Sequence, residues 1–222
     1  MVVNKYTLII FLLLNSTCYS QKLDGYGAKL GLVVANQTWN YAQPTNFTPT
    51  PRSGVGFGGF IEYSFKPGIN FMIELDYVQK GFTADVVTTT PADQVDTGGG
   101  GPGTTTQTTT IKPRVDYLSL PVTIKFVYNS NIISPYVFAG PRLDYMIGRN
   151  SDGAVFDIFH KWDAGILIGG GFGIYSQSRF SGLIEIRYSP SFTPAYKSDQ
   201  VTVKNTSFEV LVGIKLLPKQ KK

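Results

Sequence analysis

The sequence predicts an all-β fold: an eight-stranded antiparallel up-and-down transmembrane β-barrel with short periplasmic turns and long external loops. Eight segments divide their side chains into an apolar and a polar set at a period of two, which is the period of a β-strand. Short and long connections alternate between these segments. An even number of strands also lets the first strand pair with the last, so that no strand edge is exposed to hydrocarbon.

The segment from Asn70 to Phe82 shows this division most clearly, because it alternates a large apolar face with a face that carries charge. Seven further segments repeat the pattern, and turn-forming residues between them set their limits. In chain order, the strands are predicted over Tyr26–Asn36, Val55–Phe65, Asn70–Phe82, Val115–Val127, Pro135–Gly148, Trp162–Tyr175, Arg179–Ser189 and Thr206–Leu217.

Residues 1–20 are predicted to be a secretory signal peptide, and residues 21–222 to form one β-barrel domain. A single lysine precedes an apolar run that is too short to span a bilayer as a helix. The alternative, lipidation of Cys18, is disfavoured because Asn15 stands where such signals have an aliphatic residue. Cleavage after Ser20 removes the only cysteine, so the mature chain has no thiol for a disulfide or a metal.

Residues 84–112 are rich in threonine and glycine and contain few apolar side chains. Burial of apolar surface offsets the entropy that is lost when a chain becomes ordered, and this segment has little to bury. The composition therefore predicts a mobile external loop.

A soluble barrel of the lipocalin type is the alternative architecture, with the apolar face inside. Two features favour the membrane orientation. Many glycines share a face with the charged residues, and small side chains suit the interior of a narrow barrel. Aromatic residues also gather at both strand ends, as interfacial girdles do. These are Tyr26, Phe65, Phe71, Phe126, Phe172 and Phe180 at the short turns, and Phe57, Tyr77, Tyr145, Trp162, Tyr188 and Phe208 at the long loops.

In the membrane orientation, the inward face carries six cations and seven anions. Buried unpaired charge is costly, so this near balance predicts a network of ion pairs. Eight strands enclose a space only about wide enough for side chains, which favours a filled lumen over an aqueous pore. The predicted lumen charge network comprises Lys29, Glu62, Glu74, Asp76, Lys80, Lys125, Arg142, Asp144, Asp163, Glu185, Arg187, Glu209 and Lys215.

No catalytic residue, cofactor site or metal site is predicted. His160 is the only histidine, which excludes a multi-histidine metal site. A hydrolase triad of His160 with Ser151 and Asp157 is disfavoured, because neighbours within one loop rarely converge. Glu74 and Asp76 form a carboxylate pair on one face, but lumen cations are available to bind them.

Six segments resemble the outer-membrane β-barrel domain family of Bacteroidetes, often called PorT-like. They are GAKLGL at 27–32, IELDYVQKG at 73–81, YLSLPVTIK at 117–125, YVFAGPRLDY at 136–145, DAGILIGGGFG at 163–173 and EIRY at 185–188. The resemblance covers essentially the whole mature chain. It implies the barrel fold and a location in the cell outer membrane, and it implies no catalytic residues.

These observations favour a non-enzymatic structural or interaction protein of the cell envelope; the alternatives are a small-solute channel and, less favoured, a soluble lipocalin-like binding barrel. The predicted partners are outer-membrane lipid and lipopolysaccharide, and an envelope or secretion protein that contacts the external loops. The net charge of +5 is scattered among acids, so nucleic acid is not predicted as a partner. Four cations near the outer rim could meet lipopolysaccharide phosphates, although solvated loop charges are the favoured interpretation: Arg52, Arg114, Arg149 and Lys161.

Overall fold

The computed structural model describes residues 22–45, 47–91, 104–130, 132–150, 159–175 and 179–218. The signal peptide predicted at 1–20 lies outside the described residues. Within these ranges, no helix is long and apolar enough to cross a membrane. The strands are β1 (Lys22–Tyr41), β2 (Arg52–Lys66), β3 (Ile69–Gly81), β4 (Ala84–Pro91), β5 (Thr104–Ile111), β6 (Arg114–Val127), β7 (Ile133–Arg149), β8 (Trp162–Tyr175), β9 (Phe180–Pro190), β10 (Tyr196–Lys197) and β11 (Val201–Leu216).

Eight of these strands form a closed antiparallel barrel, which confirms the predicted fold class. The order around the barrel is β1-β2-β3-β6-β7-β8-β9-β11, and β11 pairs back onto β1. Leu32 of β1, for example, lies opposite Val55 of β2 and Val210 of β11. Closure lets the barrel strands satisfy their backbone hydrogen bonds within the sheet, as strands in hydrocarbon require.

The connections differ in length between the two ends of the barrel. At the short-connection end, a tight turn joins β2 to β3, and short connections join β6 to β7 and β8 to β9. Gly68 in the tight turn has a φ of +80°, a conformation that glycine adopts at little cost. At the long-loop end, longer segments join β1 to β2, β3 to β6, β7 to β8 and β9 to β11. This asymmetry is typical of outer-membrane barrels, in which the short turns are periplasmic.

The barrel wall presents apolar side chains outward and most of its charged side chains inward. On β1, Leu32 is 66% exposed, whereas the adjacent Val33 is fully buried. Near the long-loop end, the outward rings of Tyr145 and Trp162 pack with their centroids 4.7 Å apart. A continuous apolar outer surface suits lipid and would be costly in water. The arrangement is therefore the reverse of a soluble lipocalin-like barrel.

Several strands extend further toward the long-loop end than the sequence predicts. β1 reaches Tyr41 instead of Asn36, and β11 begins at Val201 instead of Thr206. The two extensions pair with each other, with Tyr41 opposite Val201. In these extensions the larger apolar residues Trp39, Tyr41, Val201 and Val203 fall on the inward face, whereas the apolar residues of the rest of each strand face outward. The pattern that marks the lipid-facing wall therefore does not continue into them. Their backbone pairing stabilises them all the same.

Two strands also occupy the segment that was predicted to be a mobile loop. β4 and β5 form a separate antiparallel hairpin, in which Val86 lies opposite Thr109 and Val87 opposite Thr108. This hairpin over 84–91 and 104–111 was not predicted, and 92–103 lies outside the described residues. The mobility of 84–112 stays a prediction. Threonine and valine are β-branched and favour strands, and in this hairpin that preference outweighs the low apolar content.

Candidate functional site

The predicted lumen charges all lie inside the barrel, and each is at most 9% exposed. All of them except Glu209 belong to three clusters that follow one another along the barrel axis. The inner cluster, at the short-connection end, contains Asp24, Glu62, Asn70, Lys125 and Lys215. The central cluster contains Lys29, Glu74, Asp76, Glu185 and Arg187. The outer cluster contains Lys80, Ser119, Arg142, Asp144, Asp163, Ser191 and Asn205.

The inner cluster is built around the Glu62 carboxylate. Lys215 Nζ lies 3.0 Å and Lys125 Nζ 3.3 Å from Glu62 Oε2, while Asn70 donates to Oε1 at 2.6 Å. Lys215 also pairs with Asp24. The sequence pattern misses Asp24 because the β1–β2 pairing shifts register between residues 23 and 25, which breaks the alternation of faces.

The central cluster joins two cations to three carboxylates. Arg187 Nη2 lies 2.7 Å from Glu74 and 2.6 Å from Glu185, and its Nη1 lies 3.4 Å from Asp76. Lys29 Nζ bridges the same two glutamates at 3.1 and 3.0 Å. Each glutamate therefore contacts both cations. Such charge-assisted contacts offset the cost of removing these groups from water.

The outer cluster is built around Asp144. Its carboxylate binds Lys80 Nζ at 2.6 Å, accepts a hydrogen bond from Ser119 at 2.6 Å and pairs with Arg142. Arg142 also donates to the Ser191 hydroxyl at 3.0 Å, and that hydroxyl donates to Asp163 at 2.7 Å. A chain of hydrogen bonds thus links β3, β7 and β8 across the lumen.

Glu209 completes the predicted set and lies between the central and outer clusters. It accepts a hydrogen bond from Ser207 at 3.0 Å. The cavity that it lines with Lys29 and Asp76 has a volume of about 10 Å³, close to the smallest space that holds one water molecule. Side chains therefore fill this level of the barrel.

An aromatic cap lies over the outer cluster at the long-loop end. The indole of Trp39 packs against Phe47, Phe82 and Phe159, with ring centroids 5.0, 5.7 and 6.3 Å away. Phe159 in turn stacks on Tyr196 at 5.6 Å. These rings come from strand ends and loops that are distant in sequence, so no local pattern predicts the cap. Phe82 and Phe159 share a buried cluster with Tyr117, whose hydroxyl accepts a hydrogen bond from Asn205 of the outer cluster at 3.3 Å.

The described residues that were considered for catalysis are His160, Glu74 and Asp76. His160 is exposed and its backbone N–H donates to the Ala195 carbonyl at 2.8 Å, while Ser151 and Asp157 lie outside the described residues. Glu74 and Asp76 both bind Arg187. Among the described residues, no group of three or more histidine, cysteine, aspartate or glutamate side chains is arranged to hold a metal ion.

The cations considered for lipopolysaccharide binding differ in their surroundings. Arg114 lies 3.1 Å from Asp116, so part of its charge is already balanced by a neighbouring carboxylate. Lys161 is exposed just before β8, and its carbonyl accepts a hydrogen bond from the Met146 N–H at 2.8 Å. The contact with Asp116 favours an internal ion pair at Arg114 over a free phosphate site.

Comparison with known proteins agrees with this architecture. A family model described as outer membrane protein beta-barrel domain matches residues 19–197. The crystal structure of Neisserial surface protein A (NspA) is similar with 11% identity, covering 90% of this chain and 99% of that one, at a TM-score of 0.50. The crystal structure of OprG from Pseudomonas aeruginosa is similar with 10% identity. The match covers 89% of this chain and 98% of OprG, at a TM-score of 0.48. The crystal structure of the outer membrane protease OmpT from Escherichia coli is similar with 8% identity. The match covers 89% of this chain and 95% of OmpT, at a TM-score of 0.41. No curated protein gives a significant match.

Proposed function

Because the chain belongs to the outer membrane protein β-barrel domain family, we propose that it is a non-enzymatic, non-conducting protein of the cell outer membrane. In this proposal it acts as a structural or interaction protein of the envelope, and its long-loop end receives the partner. The proposed partner class is a secretion or envelope protein that contacts the external loops.

The observation that carries the proposal is the closure of the lumen. Three clusters of paired side chains fill the barrel, and the aromatic cap lies over them. A barrel filled in this way offers a solute no continuous path, so the long loops and the lipid-facing wall are its main surfaces for recognition. Contact with outer-membrane lipid and lipopolysaccharide belongs to the same proposal.

The β4–β5 hairpin is the external feature best suited to a protein partner. It forms a two-stranded sheet of its own, separate from the barrel sheet. Val87 is 60% exposed on it. A strand edge with free backbone groups is a template for pairing with an extended segment of another protein. We therefore assign the partner contact to strand addition at this hairpin.

A photo-crosslinking amino acid at Val87 should give a discrete cross-linked product in intact cells. The same group at Ile132, which is 67% exposed at the opposite end of the barrel, serves as the control and should not give this product. A second variant replaces 86–109 by a short Gly-Ser linker and carries the crosslinker at residue 85. It should not give the product. Faster migration of the unboiled protein in gels checks that its barrel is still folded. Identical products at both positions, or none at Val87, would refute the assignment.

Planar bilayers should record no single-channel steps from the purified, folded barrel. This experiment separates the proposal from the second candidate function, a small-solute channel. A porin added to the same membrane afterwards checks that the bilayer reports channels. Reproducible conductance steps that scale with the amount of folded barrel would overturn the filled-lumen proposal and favour the channel.

A further inference from the structure

The lipid-facing wall of the barrel contains a groove that the lumen and the loops do not explain. It crosses β7, β8 and β9, reaches Phe208 of β11 and has a volume of about 560 Å³. That volume falls within the range of about 300–1,000 Å³ that is typical of ligand pockets. Its lining is almost entirely apolar, with Val137, Phe172 and Ile186 among the side chains.

The groove exists because a glycine occupies the middle of an outward-facing row of large residues. Gly170 of β8 lies between Val137 of β7 and Ile186 of β9 in the sheet register. Along β8, its outward neighbours are Ile168 and Phe172, which are 45% and 53% exposed. The missing side chain leaves a depression with tall walls on the barrel surface.

A second groove continues the first toward the short-connection end. It has a volume of about 530 Å³ and shares Pro135, Tyr136 and Val137 with the first groove. Its far end is lined by Gly68 and Tyr128, in the turns after β2 and β6. Together the two grooves form a slot along the wall, with Val137 at the junction.

We propose that this slot binds one acyl chain of a phospholipid from the periplasmic leaflet. A slot in this wall faces hydrocarbon, where a flexible aliphatic chain is the chemistry that fits an apolar lining. Its open end lies at the periplasmic turns, where a phospholipid headgroup sits. Lys66 is exposed beside Pro67 at this end, and a lysine ammonium suits a lipid phosphate. The proposal depends on membrane insertion and is independent of any partner at the hairpin.

The test compares the same valine-to-phenylalanine substitution at two positions on the outer wall. Val137→Phe fills the junction of the slot, whereas Val212→Phe adds the same ring at an outward position of β11 that lines neither groove. Wild type and V212F, purified in mild detergent, should retain one phospholipid per barrel by native mass spectrometry. V137F should retain about tenfold less, which corresponds to about 1.4 kcal/mol.

Three results would overturn the proposal. They are equal phospholipid retention in V137F and V212F, retention of lipopolysaccharide in place of phospholipid, and occupation of the slot by a second barrel, detected as a dimer. The faster migration of the unboiled protein checks that each variant is folded. If V137F does not fold, Ile186→Phe fills the same groove from β9 and carries the same expectation.

Discussion

Replacing Arg187 with methionine should lower the free energy of unfolding by about 3–5 kcal/mol, because it leaves buried carboxylates without their main counterion. Glu74, Asp76 and Glu185 all contact the guanidinium, and Lys29 reaches only the two glutamates. Methionine fills a similar volume, so the loss reflects charge more than a cavity. The measurement is urea-induced unfolding in lipid vesicles at neutral pH, followed by loss of the fast-migrating form in gels.

Two controls separate this effect from a general cost of losing a cation. Lys197→Met removes an exposed cation and should change stability by no more than about 0.5 kcal/mol. The double substitution Glu185→Gln with Arg187→Met removes one of the stranded carboxylates and should recover part of the loss. If R187M unfolds at the same urea concentration as K197M, the central cluster does not stabilise the barrel in the way its geometry indicates.

The architecture was predictable because a membrane barrel imposes one rule on every strand. Successive side chains along a strand point alternately outward and inward. The outward ones must suit lipid, and the inward ones must suit a narrow interior. The segment that begins at Asn70 obeys this rule over its whole length, with Glu74, Asp76 and Lys80 all turned inward and buried. A local pattern therefore identified the inward face without knowledge of which strands are neighbours.

The specific pairings within the lumen were not predictable in the same way. Arg187 on β9 meets Glu74 and Asp76 on β3, strands that lie across the barrel and are not adjacent in the sheet. Their approach depends on the diameter and shear of the closed barrel, which alternation does not encode. Asp24 was missed for a related reason, since one shift in register moved it onto the inward face.

The long-loop end was the least predictable part, because its order comes from contacts between distant segments. Polar residues extend β1 and β11 beyond the apolar band, and threonines form the β4–β5 hairpin. In the extensions the apolar residues face inward, the reverse of the lipid-facing wall, and the hairpin shows no apolar alternation. Trp39 and Phe159 contribute to one cap from distant parts of the sequence. Composition alone predicted loops here, whereas backbone pairing and aromatic packing give a folded surface.

Phe82→Ala should loosen the aromatic cap while leaving the barrel in place. Phe82 is 1% exposed and packs against Trp39 and Phe47, so its truncation should cost about 3–5 kcal/mol through the cavity it leaves. Because the cap joins loops above the membrane-spanning strands, this cost falls on the local opening of those loops. Opening controls proteolysis, so external loops in sealed vesicles should be cleaved about a hundredfold faster or more.

Phe192→Ala is the matched control, because Phe192 is also at the long-loop end but is 63% exposed. It should leave the cleavage rate nearly unchanged, and both variants should retain the fast-migrating form. Equal cleavage of the two variants would mean that the cap does not hold the loops together. F82A should be cleaved faster and should still show no conductance in planar bilayers. Conductance stays absent because the outer cluster beneath the cap still fills the lumen with Asp144, Lys80 and Arg142.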